Sequence, residues 1–392
     1  MNTNHKAKRI YSITVFLAII VVASFTGKIF AQTASDQMVY LPLVTNSAGA
    51  VPPATLPPAG GIPPEGFSGD MFYVSKNGNN GDGRSWASAW NELDQINWSA
   101  VEPGDLIWID GGGVEMVYET MMTVGKSGTA SDPIYIYRAI DEERDGRVVM
   151  FGGRSNDLPY CDQSNYNNED PLIAAIRLRG HDHILIDGGN WRGITVHGFE
   201  NGIMLDADST NVTLRNFEIY NNGIAKQQDG KWYPKNRGVL LAGANMTLER
   251  MLIHDNGEDA IQSSSGENNL ANFTLRESWL YNTRMHPNLD ESFNYCSHSD
   301  GIQIYAGGEV SGLTIEDSIL GPGFTQNVVL GQTAKSNLSA TRVSNVVFDN
   351  VVLAKAAGIN VYGTHGAAGN NWTFKNVTVD CAPNTKYTGS CI

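Results

Sequence analysis

Two patterns of hydrophobic and polar residues alternate through residues 201–380 and organise most of the chain. The first pattern has four positions: a polar residue, a residue that is usually small, an apolar residue and a variable residue. It is seen at 259–262 and 300–303. This pattern begins at Asn201, Arg237, Asp259, Asp300 and Gln326, and Ala357 begins a further copy in which the polar residue is replaced. The second pattern joins two short apolar runs and occupies residues 213–219, 247–253, 274–280, 314–320, 347–353 and 373–379. Such alternation indicates a repeat architecture.

Each repeat consists of short β-branched runs with period-two alternation, separated by Gly, Asn, Asp and Ser. No amphipathic helix of useful length lies between the runs, so parallel strands must follow one another in a coil. The sequence therefore predicts an all-β fold, a right-handed parallel β-helix (β-solenoid) whose variable insertions lie at one corner. One buried column is expected to contain Ile203, Val239, Ile261, Ile302, Val328 and Ile359.

The N-terminus has the pattern of a targeting segment. Basic residues such as Lys8 and Arg9 precede an apolar run at 10–25, and Ala31 ends an acceptable cleavage site. We interpret residues 1–31 as a signal peptide, which predicts a secreted or cell-surface protein. A retained membrane anchor is the alternative, because the apolar run is close to the length that spans a bilayer.

Residues 32–70 are rich in Pro, Ala and Gly and are interpreted as an extended linker. The folded domain is expected to comprise residues 71–392. Its opening contains a series of motifs at 72–75, 77–83, 85–90, 101–107 and 126–134. These motifs resemble the opening of pectate-lyase-like right-handed β-helix proteins. The resemblance implies a short N-terminal capping helix, here over residues 86–96, that covers the open end of the coil.

The net charge of the chain limits the classes of molecule that it is expected to bind. The formal net charge of −14 argues against nucleic acid and against anionic membrane surfaces. We expect a polysaccharide partner, a monomer, and no membrane contact beyond the signal segment.

An even count of cysteines in a secreted chain permits disulfide bonds, with Cys381–Cys391 favoured and Cys161–Cys296 left as the second pair. Several Asn-x-Thr sequences, including those at Asn211, are interpreted as repeat turns rather than as glycosylation sites.

The repeat predicts which side chains lie together outside the coil, since side chains alternate between the two faces of a strand. Equivalent strands stack ~4.8 Å apart. One outward column is expected to read Asn201, Arg237, Asp259, Asp300 and Gln326. A second is expected to include Gln262 and Gln303, with Tyr305 two positions beyond Gln303. We predict that these polar groups form an exposed patch.

The candidate chemistry centres on Asp259 and Asp300. Two stacked carboxylates repel, so one should have a raised pKa unless a cation lies between them. The pair could serve a retaining glycosidase, or the same two residues could bind Ca²⁺ as a possible cofactor. In a lyase the cation would neutralise a uronate, and Arg237 and His298 are the further catalytic candidates. A structural carboxylate ladder is the alternative, because Asp before Gly is common in turns.

Two insertions, residues 222–236 and 282–298, precede Arg237 and Asp300 and are expected to flank the same patch. Trp232, Tyr233 and Lys235 are the substrate-binding candidates on the first insertion. We interpret the chain as a polysaccharide lyase acting on an acidic glycan. A glycoside hydrolase using the acid pair, or a non-catalytic glycan-binding or structural protein, is the alternative. The reaction does not follow from the resemblance, because the motifs of its named enzyme families are absent.

Overall fold

The computed structural model describes residues 31–32, 38–39, 63–205, 209–263, 270–285, 299–304, 309–330, 342–356, 358–361 and 371–381. The chain divides into two compact units, Met1–Thr45 and Asn46–Ile392. In the first unit, strand β1 (Ala31–Gln32) pairs antiparallel with β2 (Met38–Val39). Within the described ranges, no helix is both long enough and apolar enough to cross a membrane.

The second unit is made of short strands that follow one another around a coil. Its first part contains β3 (Met71–Val74), β4 (Leu106–Ile109), β5 (Glu115–Tyr118), β6 (Met122–Thr123), β7 (Ile134–Arg138), β8 (Arg147–Phe151), β9 (Ala174–Arg177), β10 (Ile184–Asp187), β11 (Ile194–His197) and β12 (Asn201–Leu205). Its middle part contains β13 (Thr210–Arg215), β14 (Phe217–Tyr220), β15 (Ile224–Gln228), β16 (Lys231–Lys235), β17 (Arg237–Leu241), β18 (Ala244–Glu249), β19 (Leu252–Asn256) and β20 (Asp259–Ser263). Its last part contains β21 (Leu270–Arg276), β22 (Trp279–Thr283), β23 (Asp300–Ile304), β24 (Glu309–Leu320), β25 (Gln326–Leu330), β26 (Arg342–Ala356), β27 (Ile359–Val361), β28 (Trp372–Lys375) and β29 (Thr378–Cys381).

These strands form two long parallel sheets that wrap one core. Eight strands pair in the order β27-β25-β23-β20-β17-β12-β9-β6, and we call this the eight-stranded sheet. Seventeen others form a second sheet with two neighbouring stacks, which the long strands β24 and β26 join. A typical coil therefore passes through both stacks and then through the eight-stranded sheet. This topology confirms the predicted parallel β-helix, whose right hand is the usual one for parallel crossovers.

The predicted buried column is confirmed. The register pairs Ile203 with Val239, Val239 with Ile261, Ile261 with Ile302, Ile302 with Val328 and Val328 with Ile359. All six side chains are buried in one continuous apolar core. Burying each fully contributes about 1.5–3 kcal/mol relative to leaving it exposed. The core thus holds the eight-stranded sheet in register and fixes which residues share its outer face.

Asparagines form a hydrogen-bonded ladder at one corner of the coil. Asn245 Nδ2 donates to Asn211 Oδ1 at 3.0 Å, and Asn272 Nδ2 donates to Asn245 Oδ1 at 2.8 Å. Further along, Asn371 Nδ2 donates to Asn345 Oδ1 at 3.0 Å. All five residues have positive φ, a conformation that asparagine tolerates better than most residues. The Asn-x-Thr sequences at Asn211, Asn245, Asn272 and Asn371 therefore mark ladder turns, as the sequence predicted.

We expect Asn245→Ala to lower the free energy of unfolding by about 1–2 kcal/mol, because alanine at a φ of 54° is strained. The change also removes both ladder contacts of Asn245. Urea unfolding followed by circular dichroism measures the loss. Asn245→Gly is the matched control, since glycine relieves the strain without restoring the ladder. Equal stability of the wild type and Asn245→Ala would show that neither the strain nor the ladder matters.

The helix expected over residues 86–96 is largely absent. Within this stretch the structure has only a 3-10 helix, Leu93–Gln95, after which Ile96 adopts a non-helical conformation. Trp90 instead forms a bridge with Val74. Ala89, Trp90 and Leu93 are nevertheless buried, so the segment still packs against the core. The prediction of the secondary structure was wrong because the hydrogen bonds of this segment go to β3 and its neighbouring turn.

Candidate functional site

Four neighbouring strands place the predicted residues on the outer face of the eight-stranded sheet. Arg237 begins β17 and pairs in register with Asp259, which begins β20. Asp300 begins β23 and pairs in register with Gln326, which begins β25. Three positions along, Gln262 of β20 is paired with Gln303 of β23. The two predicted columns are therefore present, with the acids in neighbouring coils.

The two acids and three glutamines form one hydrogen-bonded network. Gln262 Nε2 donates to Asp259 Oδ2 at 2.8 Å and to Gln303 Oε1 at 2.6 Å. Gln303 Nε2 donates to Asp300 Oδ2 at 3.0 Å, and Gln326 Nε2 donates to Asp300 Oδ1 at 3.2 Å. The backbone N–H of Asp300 donates to Asp259 Oδ1 at 2.8 Å. We call these five residues the acid–amide network.

The acid–amide network is buried, which corrects the prediction of an exposed patch. Asp259 and Asp300 are 0% exposed, Gln303 is 1% exposed, and Gln262 is 9% exposed. Alternation along a strand predicted that Gln262 and Gln303 point away from the core, but it could not show that other segments cover them. Arg237, at the edge of the network, is partly exposed.

Burial sets the protonation of the pair. Loss of solvent raises the pKa of Asp259 well above its ordinary value, and the neighbouring carboxylates of Asp300 and Glu258 raise it further. The hydrogen bond from the backbone N–H of Asp300 and the charge of Arg237 oppose this shift. The rise in pKa favours the protonated form of Asp259.

The corner between the second stack and the eight-stranded sheet carries the insertions, and we call it the insertion corner. Residues 221–236 contain the antiparallel hairpin β15–β16. The second predicted insertion, residues 282–298, follows β22 and precedes β23 in the chain. A third insertion, residues 152–173, lies between β8 and β9 and was not recognised from the sequence. The first predicted insertion, residues 222–236, is thus present as a hairpin at this corner, whereas residues 286–298 of the second predicted insertion lie outside the described residues.

The hairpin forms an ion pair with Glu258, the residue next to the acid–amide network in the sequence. Lys235 Nζ lies 3.2 Å from Oε1 of Glu258, the residue directly before Asp259. Glu258 itself was missed as a site residue, although its place beside Asp259 in the sequence could have shown it. Trp232 packs edge-to-face on Tyr166, with ring centroids 5.6 Å apart, and its backbone N–H donates to the backbone carbonyl of Gln163.

The other predicted site residues are Tyr233, which the structure describes, and His298 and Tyr305, which it does not. Tyr233 is partly exposed and pairs in register with Lys226 of the hairpin. His298 and Tyr305 lie outside the described residues, so their catalytic and binding roles stay predictions. The disulfide pairs also stay predictions, because Cys296 and Cys391 lie outside those residues.

The calcium hypothesis finds little support in the donor set. Ca²⁺ takes six to eight oxygen ligands, whereas both oxygens of Asp259 and of Asp300 already accept N–H donors. In the part of the chain that the structure describes, no group of three or more His, Cys, Asp or Glu residues could hold a metal ion. We therefore derive no step of the chemistry through a metal.

A second cluster of titratable groups lies on the other sheet. His254 stacks between Tyr220 and Tyr281, with ring centroids 5.3 Å and 4.8 Å away. Its Nδ1 lies 2.8 Å from Asp255 Oδ2, and its Nε2 lies 3.4 Å from Glu218 Oε1. Burial alone would lower the pKa of His254, but hydrogen bonds to the two carboxylates raise it above its ordinary value. His254 thus lies apart from the acid pair, although the two are close in sequence.

We expect His254 to make stability depend on pH. A raised pKa means that protonated His254 stabilises the fold fully below its unfolded pKa, and that this contribution is lost as pH rises through the folded pKa. The wild type should therefore lose on the order of 1 kcal/mol relative to His254→Phe between mildly acidic and alkaline pH. Phenylalanine keeps the stack but not the charge. Urea unfolding of both proteins across pH measures the difference, and parallel curves would contradict it.

Comparisons with known proteins bear on the fold. No protein-family model matches this chain, and no curated protein matches it in sequence. Pectate lyase Pel9A is similar in structure, with 15% identity and a TM-score of 0.46 over 82% of this chain and 79% of that chain. The alginate lyase of Paenibacillus sp. str. FPU-7 has 16% identity and a TM-score of 0.42 over 73% and 97%. The pectin methylesterase of Aspergillus niger has 10% identity and a TM-score of 0.36 over 81% of this chain and 88% of that chain.

These likenesses are too distant to assign an activity. The strand topology, in contrast, follows from the order in which the strands of this chain pair with one another. By its strand topology, the chain is a parallel β-helix protein.

Proposed function

We propose that this protein is a secreted enzyme that hydrolyses glycosidic bonds of a polysaccharide with Asp259 and Asp300. One observation carries the proposal: two buried carboxyls on neighbouring strands share one amide network, and burial raises the pKa of Asp259. Glycosidases use such a pair, in which one carboxyl is protonated and the other is ionised.

The geometry is consistent with a retaining reaction. Neighbouring strands lie ~4.8 Å apart, and retaining glycosidases hold their two carboxyls about 5–5.5 Å apart. Protonated Asp259 would donate its proton to the glycosidic oxygen while the carboxylate of Asp300 attacks the anomeric carbon and the glycosidic C–O bond breaks. Water would then attack the glycosyl ester of Asp300, returning a proton to Asp259 and releasing the sugar. The amides of Gln262 and Gln303 would hold both carboxyls in place.

This proposal requires that a glycan can reach the carboxyls of Asp259 and Asp300. Both carboxyls are excluded from solvent, and the more exposed groups beside them are Arg237 and Gln262. A glycan would therefore have to enter past these two side chains and displace whatever covers the acids. Trp232 and Tyr233 on the insertion corner offer aromatic rings on which sugar rings can stack.

A lyase is the second candidate, and Arg237 is the observation that favours it. The charge of Arg237 partly opposes the rise in the pKa of Asp259, and the same guanidinium could neutralise the carboxylate of a uronate. A base would then remove the C5 proton, and the C4–O bond would break to leave an unsaturated product.

A panel of neutral and acidic polysaccharides tests these proposals. Hydrolysis should release reducing ends without ultraviolet absorbance from unsaturated products, whereas lyase activity should produce both. Parallel assays with EDTA test the calcium hypothesis. Retention on a polysaccharide gel without any product would instead support a non-catalytic glycan-binding protein.

Secretion is tested separately. We propose cleavage after Ala31, so protein recovered from the medium should begin at Gln32. N-terminal sequencing measures this directly. Recovery only in membranes, with residues 1–31 retained, would favour the anchor.

A further inference from the structure

A small cavity lies on the outer surface of the first coils, on the seventeen-stranded sheet. Its volume is about 190 Å³. It is lined by Tyr73, Trp86, Trp108, Ala139, Ile140 and Asp141. Tyr73 lies on β3, Trp108 lies on β4, Trp86 lies between these strands, and the other three residues follow β7. The acid–amide network lies instead on the eight-stranded sheet. The cavity is therefore a separate place on the molecule, and nothing in the proposed hydrolysis uses it.

The aromatic rings form a corner rather than a flat platform. Tyr73 and Trp86 meet edge to face, with ring centroids 4.6 Å apart and planes inclined by 62°. Trp108 is packed edge to face against Tyr137, with the two planes inclined by 72°. A sugar ring stacks best on one open flat face, whereas inclined rings can surround a compact group. The negative faces of aromatic rings attract cations in such a setting.

The charges at the mouth favour a cation. The segment after β7 contains Asp141, Glu142, Glu143 and Asp145, all of which are exposed, against the two guanidiniums of Arg144 and Arg147. Arg144 already makes a cation–π contact with one of the lining residues, because its guanidinium lies 4.6 Å from the centre of the Trp86 ring. The same guanidinium is paired with Asp141 at 2.8 Å. A carboxylate and an indole thus already hold a cation of the chain at this site.

We propose that the cavity binds a quaternary ammonium group, such as that of choline, between the aromatic rings and the carboxylate of Asp141. Quaternary ammonium ions are compact, weakly hydrated and recognised by aromatic cages. Arg144 is the internal competitor, because it occupies one face of Trp86 and neutralises part of the charge of Asp141. The proposal is independent of the hydrolysis proposed above, and its test uses no glycan substrate.

Isothermal titration of the full chain with choline chloride tests the proposal. Choline should bind at millimolar concentrations, and its neutral isostere 3,3-dimethylbutan-1-ol should bind at least about tenfold more weakly. Equal binding of the two would overturn the proposal, since it would mean a purely apolar cavity. Absence of choline binding would also overturn it. Binding of cellotriose in competition with choline would assign the cavity to a sugar instead.

Three variants locate the site. Asp141→Asn should weaken choline binding about threefold to fivefold, because an exposed ionic contact is lost. Trp86→Leu should weaken it about tenfold, and circular dichroism must show that this variant folds. Arg144→Gln should strengthen binding, because it frees the face of Trp86 and the charge of Asp141. Unchanged affinity in both Asp141→Asn and Arg144→Gln would overturn the proposal, whatever the folding of Trp86→Leu.

Discussion

Replacing Asp300 with asparagine should lower the turnover of a glycan substrate on the order of a thousandfold, within the range for removal of a catalytic carboxyl. The amide cannot act as a nucleophile or share a proton with Asp259. Because Asp300 is fully buried and accepts N–H donors on both oxygens, the new NH₂ group will face a donor. We therefore also expect a loss of about 1–3 kcal/mol in the free energy of unfolding. Initial rates and urea unfolding measure the two effects.

Asp317→Asn is the matched control for this substitution. Asp317 lies in the same coil as Gln326 but on the seventeen-stranded sheet, is exposed, and accepts a hydrogen bond from Asn350. Its φ of 48° suits asparagine, so both activity and stability should be nearly unchanged. If Asp300→Asn retained full activity, the catalytic role would be wrong. A large loss of stability with activity retained per folded molecule would identify the acid–amide network as a structural ladder.

The strands and their register could be predicted from the sequence because each is specified many times. Ile261 and Ile302 recur at the same place in their repeats, and a slip of one residue would turn every apolar side chain outward. The neighbours of Asp259 and Asp300 in the stack followed from the same register. This is why the members of the acid–amide network were correctly grouped before their contacts were known.

The burial of that network could not be predicted, because periodicity is local and burial depends on distant segments. Alternation shows that Gln303 points away from the core, but not that Gln303 is only 1% exposed. The same limit applies to the third insertion at residues 152–173, which has no repeat to mark it. The helix expected over residues 86–96 was wrong for a related reason: Trp90 hydrogen-bonds to Tyr73 of β3, and this distant contact outweighs local helical spacing.

The insertion corner should depend on one buried cation, Arg154. Its Nη1 donates to the carbonyl of Gly223 and its Nη2 donates to the carbonyl of Asn221, both at the base of the hairpin. Burial lowers the pKa of Arg154 to about 10, which shows how far the guanidinium is removed from water. Arg154→Met keeps the length of the side chain but leaves these buried carbonyls without their donor. We expect a loss of about 3 kcal/mol in the free energy of unfolding.

Because Arg154 joins two insertions, its substitution should loosen these insertions in addition to lowering the stability of the whole fold. It joins the start of the 152–173 insertion to the start of the hairpin, so its loss should release both from the corner before the coil itself unfolds. Hydrogen exchange should then rise first in β15 and β16 and stay slow in β20 and β23. Arg147→Met is the control, because Arg147 is exposed on the neighbouring strand β8. Uniform exchange across the hairpin and the coil in Arg154→Met would contradict a local role. If the hairpin also positions a glycan, Arg154→Met should raise KM more than it lowers kcat, since both catalytic carboxyls remain held by their amides.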